Sequence, residues 1–213
     1  MKSIGELKDI YKGHDIYVVA SGASAGYIEP SFFDNKLAIG VNHVWRRFPN
    51  VDYIVMKDSN SMESAGHASK MMGFKLIVSR HNCGTLKFAD NKGADYFFEH
   101  LENKLQEVDL SVVGSDKIVV SYSTTTSAVH IAAYMGAANI ILVGHDCGKL
   151  DGASNFSGYP KSPLGQTFYD EFLSQFEPQT IALRERLKEV YGCNLYSLNP
   201  FVNFGLEGHV YGG

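Results

Sequence analysis

The sequence predicts an α/β fold, a mostly parallel sheet of about six or seven strands with helices on both faces. Three observations carry that expectation. Five apolar runs, at 16–20, 37–41, 53–56, 118–120 and 140–143, are short and rich in Val and Ile. They alternate with helical patterns, which marks parallel strands buried on both sides. Each run also breaks off into small and polar residues: Ser21-Gly22-Ala23-Ser24, Asn42-His43, Lys57-Asp58-Ser59, Ser121 to Ser127, and Gly144-His145-Asp146. In open α/β sheets a ligand sits outside the carboxyl ends of the strands, near the point where strand order reverses. The five endings are therefore expected to share one rim and line one cleft.

The elements follow in order. Ile4, Leu7, Ile10 and Tyr11 predict a short amphipathic helix over 3–12. A strand over 15–20 leads into a Gly- and Ala-rich loop at 21–30, and a second strand covers 36–41. Residues 44–48 predict a helical turn ended by Pro49, followed by a strand over 52–56. A helix over 61–72 and a strand over 75–79 come next. From 81 to 116 the strand rhythm is suspended. Phe97, Leu101, Leu105 and Val108 form one stripe, which predicts a helix over 94–108 within an inserted helical flap near 82–116.

A strand over 117–120 enters the Ser/Thr cluster, where Thr125 or Thr126 is expected to cap a helix that ends near Gly136. A strand over 139–143 precedes the segment 147–165, whose glycines and prolines predict a mobile lid. A helix over 178–191 and a strand over 194–198 complete a Rossmann-like arrangement, read as a single domain spanning 1–213.

Composition narrows the partners. With 45% hydrophobic residues the 213-residue chain can bury a full core. The net charge of -4, without a basic run, speaks against nucleic acid. An anionic small molecule held locally by backbone amides is compatible with it. The first thirteen residues carry five charges and no apolar stretch, so no signal peptide is expected. Gly136 and Asn139 split the most apolar stretch, 128–144, so no integral membrane segment is expected. Cys83, Cys147 and Cys193 form no CxxC pair, which fits free thiols and a cytoplasmic location. A homo-oligomer is compatible with all of this.

The strand endings hold the candidate site. Gly22 and its small neighbours permit close approach of the backbone to a phosphate or ribose. The same loop spells GxSxG with Ser24 in the nucleophile position, but Tyr27 to Pro30 starts a helix poorly, as a nucleophile elbow would not. Ser123, Thr124 and Thr125 place hydroxyls at a strand mouth and a helix start, a cradle for an anion. Asn42 carries both a donor and an acceptor for a base edge or a sugar hydroxyl. Asp146 can accept from ribose hydroxyls, and with Asp58 across the rim it would suit Mg²⁺. His145 and Asp146 are chain neighbours expected to point opposite ways. His81, Glu177 and His209 are the candidates for a general base, and no spacing selects among them.

These pieces together resemble the bacterial sialyltransferases of the Campylobacter type and the related 6-hydroxymethylpterin diphosphokinases. The similar residues are Ser21-Gly22-Ala23-Ser24 after the first long strand, Gly40-Val41-Asn42, Ser123-Thr124-Thr125 before a helix, Ile141 to Asp146, and Leu195 to Pro200. The resemblance implies a CMP-sugar-dependent transferase without a metal or other cofactor, whose nucleotide meets Gly22, Ser24, Asn42, Thr124, Thr125, Gly144 and Asp146. The pterin alternative implies ATP with Mg²⁺ on Asp58 and Asp146. A non-catalytic nucleotide-binding protein is the third reading. The chain departs from the sialyltransferase pattern at three places. Ala23 stands for a loop proline, Lys57 stands near an asparagine, and Ser174 to Glu177 offers no catalytic histidine.

Overall fold

The computed structural model describes residues 1–57, 62–80, 93–102, 117–121, 123–161 and 166–199. Nine strands form one sheet: β1 (Lys2–Ser3), β2 (Asp15–Val19), β3 (Ala38–Val41), β4 (Tyr53–Met56), β5 (Lys75–Arg80), β6 (Tyr96–Glu102), β7 (Lys117–Val120), β8 (Asn139–Val143) and β9 (Asn194–Ser197). Their order is β1-β6-β5-β4-β3-β2-β8-β9, with β7 paired to β6. Every pairing is parallel. Among the described residues three α-helices accompany the sheet, α1 (Met62–Met72), α2 (Thr124–Tyr134) and α3 (Gln166–Tyr191). Residues of β2, β3, β4 and β8 are almost wholly buried, as a parallel sheet covered on both faces requires. That burial explains their unbroken apolar runs.

From β2 the chain moves outward through β3, β4, β5 and β6, then returns to place β8 on the other side of β2. The strand order therefore reverses between β2 and β8, and the crevice at their carboxyl ends is the expected ligand position. Helix α2 lies against β2, β3, β4 and β7. It is buried along its whole length, from Thr124 to Tyr134.

Four expectations need correction. Among the described residues the sheet has nine strands, where about six or seven were expected. One of the extra strands is β6, where a helix over 94–108 was expected. Tyr-Phe-Phe favours a strand, and pairing with β5, β1 and β7 satisfies its backbone. The helical stripe through Phe97 and Leu101 fits a strand equally, because positions four apart share a face in both periods. The remainder of the proposed flap, 81–92 and 103–116, lies outside the described residues.

The helix expected over 3–12 is only a 3-10 turn at Ile4–Leu7. Asp9 turns left-handed at φ 56°, and the amides of Asp9 and Tyr11 bond to Tyr134 O and Met135 O at the end of α2. Helix α3 begins twelve residues before the expected start, running through Pro178. Leu173, Phe176, Thr180, Leu183 and Leu187 all lie on its buried face, and that stripe outweighs the single backbone bond a proline removes.

Candidate functional site

The hydrogen bonds at the switch point are formed by the small residues that end β2 and β8. The amide of Gly22 donates to Gly144 O at 2.7 Å, directly after Ala20 N donates to Val143 O at 2.8 Å. A Cβ on Gly22 would lie 2.4 Å from Gly144 O and 2.6 Å from Asp146 Cγ. Gly144 has φ 68°, and a Cβ there would lie 2.7 Å from both Ala20 O and Ala25 Cβ. Neither position admits a side chain, which is the physical reason for glycine at both.

Asp146 ties the two strand exits together. Its Oδ2 accepts from Ser24 N at 2.8 Å, and its Oδ1 accepts from the Ser24 hydroxyl and from Asn199 Nδ2, the latter at 2.7 Å. Burial raises the Asp146 carboxyl above the usual carboxylate range, against the hydrogen bonds from Ser24 and Ala23 that pull it down. Both oxygens are thus engaged, so Asp146 shapes the Gly22–Tyr27 loop. A metal on this carboxylate would have to displace those partners. Asp58, its expected companion, lies outside the described residues. No group of three His, Cys, Asp or Glu poised for a metal exists among the described residues. Ser24 is buried and its hydroxyl belongs to Asp146; among the described residues no imidazole bonds it, so the nucleophile reading of GxSxG has no base.

His145 points away from Asp146, as adjacent residues on an extended chain should. It is buried against α3, stacks on Phe176 and meets Thr180 Oγ1 at 2.8 Å. Since the Thr180 hydroxyl donates to Phe176 O at 2.8 Å, His145 Nε2 carries the proton in that bond. Burial pushes its pKa down to about 4.

Asn42 leaves β3 in the left-handed region at φ 52°, a conformation asparagine tolerates. Its Nδ2 faces Thr124 Oγ1 at 3.4 Å, at the first residue of α2. Its Oδ1 is buried and accepts no hydrogen bond. Buried acceptors without partners are rare and call for an explanation.

The Ser/Thr cluster divides between structure and site. The Ser123 hydroxyl caps α2 by accepting from Thr125 N, the position expected of Thr125 or Thr126. Ser121 and Thr126 donate to Gln179 Oε1 of α3 at 2.8 and 3.3 Å. Ser127 donates to Val119 O at 2.7 Å. Thr124 and Thr125 remain at the helix start beside Asn42; the Thr125 and Thr126 amides are taken by Ser123, and the Thr124 amide is left at the helix end. The Lys57 ammonium, at the end of β4, donates to Ser121 O.

The segment 147–161, expected as part of a lid, lies over the β2 exit. Phe156 N donates to Ser21 O at 3.1 Å, Asn155 Nδ2 donates to Ser21 Oγ at 3.0 Å, and Phe156 is buried between Phe48 and Tyr159. Glu177 sits half-buried on α3, close enough to Cys147 to raise its thiol pKa further above the effect of burial. His81 and His209 lie outside the described residues.

Three residues with a part in the candidate site take roles that the sequence did not assign to them. Arg47 donates to Ala25 O at 3.3 Å, Gly26 O at 2.7 Å and Ile28 O at 2.9 Å, clamping the Gly22–Tyr27 loop from the turn after β3. Asn199 and Gln179 act across the fold, and no local signal marks Gln179. A pointer to Asn199 was its place before Pro200, which favours an extended backbone just past a strand.

With this geometry in view, two solved structures share the architecture. The sialyltransferase CstII from Campylobacter jejuni, determined in complex with a substrate analogue, cytidine-5'-monophosphate, has a TM-score of 0.54 and 15% identity, over 89% of this chain and 81% of that one. The MAf glycosyltransferase from Magnetospirillum magneticum AMB-1 has a TM-score of 0.56 and 13% identity, over 95% of this chain but only 34% of that one. The fold is glycosyltransferase-like. At such identities the likeness speaks for the fold, and residue roles must come from the site itself. No protein-family model and no curated protein matches the chain. Among the described residues no helix is long and apolar enough to cross a membrane.

Proposed function

We propose that this glycosyltransferase-like protein binds a nucleotide-activated sugar, of the CMP-sugar kind, at the carboxyl rim of β2, β3 and β8, and transfers the sugar. The observation that carries this reading is the buried, unpartnered Oδ1 of Asn42, held beside the amino end of α2. A ligand hydroxyl or amino group is the natural donor to that acceptor, and the helix-start amide of Thr124 suits the phosphate. Gly22 and Gly144 keep the strand exits flush, so the nucleotide approaches backbone. In this reading Asp146 and Ser24 act by fixing the loop, and Ser123 by capping α2. The solved CstII complex supports the nucleotide class, since that protein holds cytidine-5'-monophosphate on the same fold.

A panel of CMP, CDP, UDP, GDP and ATP, each with and without Mg²⁺, tests the assignment by shift of the melting temperature. CMP is expected to stabilise without metal, by about 2.7 kcal/mol at a hundredfold excess over its Kd. Asn42→Ala is expected to weaken CMP about tenfold while leaving the far-UV circular dichroism unchanged. Stabilisation by ATP alone, and only with Mg²⁺, would favour diphosphate transfer instead. Binding without turnover of any nucleotide-sugar would leave a non-catalytic nucleotide-binding protein.

A further inference from the structure

We infer that Lys57 reads the phosphate of the bound nucleotide and offsets the charge that accumulates there when the sugar departs. The inference rests on the nucleotide-binding reading of the cleft. Lys57 follows β4 directly, at the rim where β2, β3 and β8 also end, and it is half-buried. Its ammonium is held by Ser121 O, two residues ahead of the cap of α2. The next strand of the sheet places Asn42 against Thr124, the first residue of the same helix. Lys57 and Asn42 thus flank the amino end of α2 from neighbouring strands.

The amino end of an eleven-residue helix carries partial positive charge and gains nothing from a cation beside it. An anion between the two interacts favourably with both. The buried Asn42 acceptor is independent of this argument and points to a ligand in the same place. The neighbouring hydroxyls of Ser121, Ser123, Thr126 and Ser127 are committed within the protein. The Thr125 and Thr126 amides are held by Ser123, so Lys57 would meet a phosphate together with the Thr124 amide. A lysine is a compact point charge on a flexible stem, suited to one phosphate oxygen.

The transfer step itself adds charge to that group. The bond between the anomeric carbon and a phosphate oxygen breaks, and its electron pair stays on the phosphate. The acceptor alcohol oxygen forms the new bond to the anomeric carbon and releases its proton to a base or to water. A fixed cation at the phosphate stabilises the product side of this displacement more than the reactant side.

Calorimetric binding of CMP and cytidine to the full chain tests the inference, using wild type, Lys57→Met and Lys57→Arg. Wild type is expected to prefer CMP, with affinity falling as salt rises. Lys57→Met should lose about tenfold or more for CMP and nothing for cytidine, with a shallower salt dependence. Lys57→Arg should retain part of the preference. Equal losses for CMP and cytidine, or an unchanged preference, would overturn the role. Should Lys57→Met fail to fold, the Lys57→Arg preference and salt slope decide: values unchanged from wild type count against a point charge on phosphate. If wild type binds no nucleotide at all, the parent reading falls and this one with it, a result distinct from intact CMP binding that ignores Lys57.

Discussion

Acid should unfold this protein through two buried histidines, and the size of the effect follows from their surroundings. His130, on α2, accepts from Val119 N through Nδ1 at 3.1 Å, so its proton sits on Nε2, 2.8 Å from the Tyr191 hydroxyl. Burial pushes its pKa down to about 3, and that of His145 down to about 4. Both are below the unfolded value of about 6.5. The unfolded chain therefore binds more protons, and stability is full above pH 6.5 and falls as the pH drops toward the folded values. Each histidine costs about 1.36 kcal/mol per pH unit below 6.5. At pH 4.5 the pair together costs about 5 kcal/mol, comparable to the whole stability of many domains. Denaturant titrations between pH 4.5 and 7.5 measure this. His130→Gln keeps an acceptor and a donor but cannot titrate, so its stability should fall with acid by about 1.4 kcal/mol per unit less than wild type. Parallel pH curves for the two proteins would refute the neutral, buried assignment of His130.

Two further substitutions probe the loop at the switch point. Gly22→Ala drives a methyl to 2.4 Å from Gly144 O and should cost about 1–3 kcal/mol by thermal melting, whereas Gly148→Ala, whose nearest neighbour is 3.8 Å away, should cost well under that. Arg47→Met removes the donors to three loop carbonyls; a loss of about 2 kcal/mol in stability and a weaker CMP affinity are expected, while Arg46→Ala, which removes an exposed guanidinium lying over Trp45, serves as the near-neutral control.

Much of the architecture was legible because parallel strands buried on both faces leave unbroken apolar runs. Residues 16–19, 38–41, 53–56, 118–120 and 140–143 could hardly be anything else. β6 escaped because Phe97 and Leu101 satisfy both periodicities, and only its three parallel neighbours decide between them. The long start of α3 escaped because a proline read locally marks the first turn of a helix, while the packing that carries the helix through it lies elsewhere in the chain.

The sequence by itself determined the list of polar strand endings and, through the strand-end rule, the rim where a ligand is expected. Tertiary structure alone decided what each group does there. It committed Asp146 to Ser24 and Asn199, gave Ser121 and Thr126 to Gln179, and left Asn42 Oδ1 buried without a donor. Asp146 lies 122 residues from Ser24 and 53 from Asn199. Hydrogen bonds depend on distances of a few tenths of an ångström between groups so far apart in the chain, and one-dimensional spacing carries no record of them.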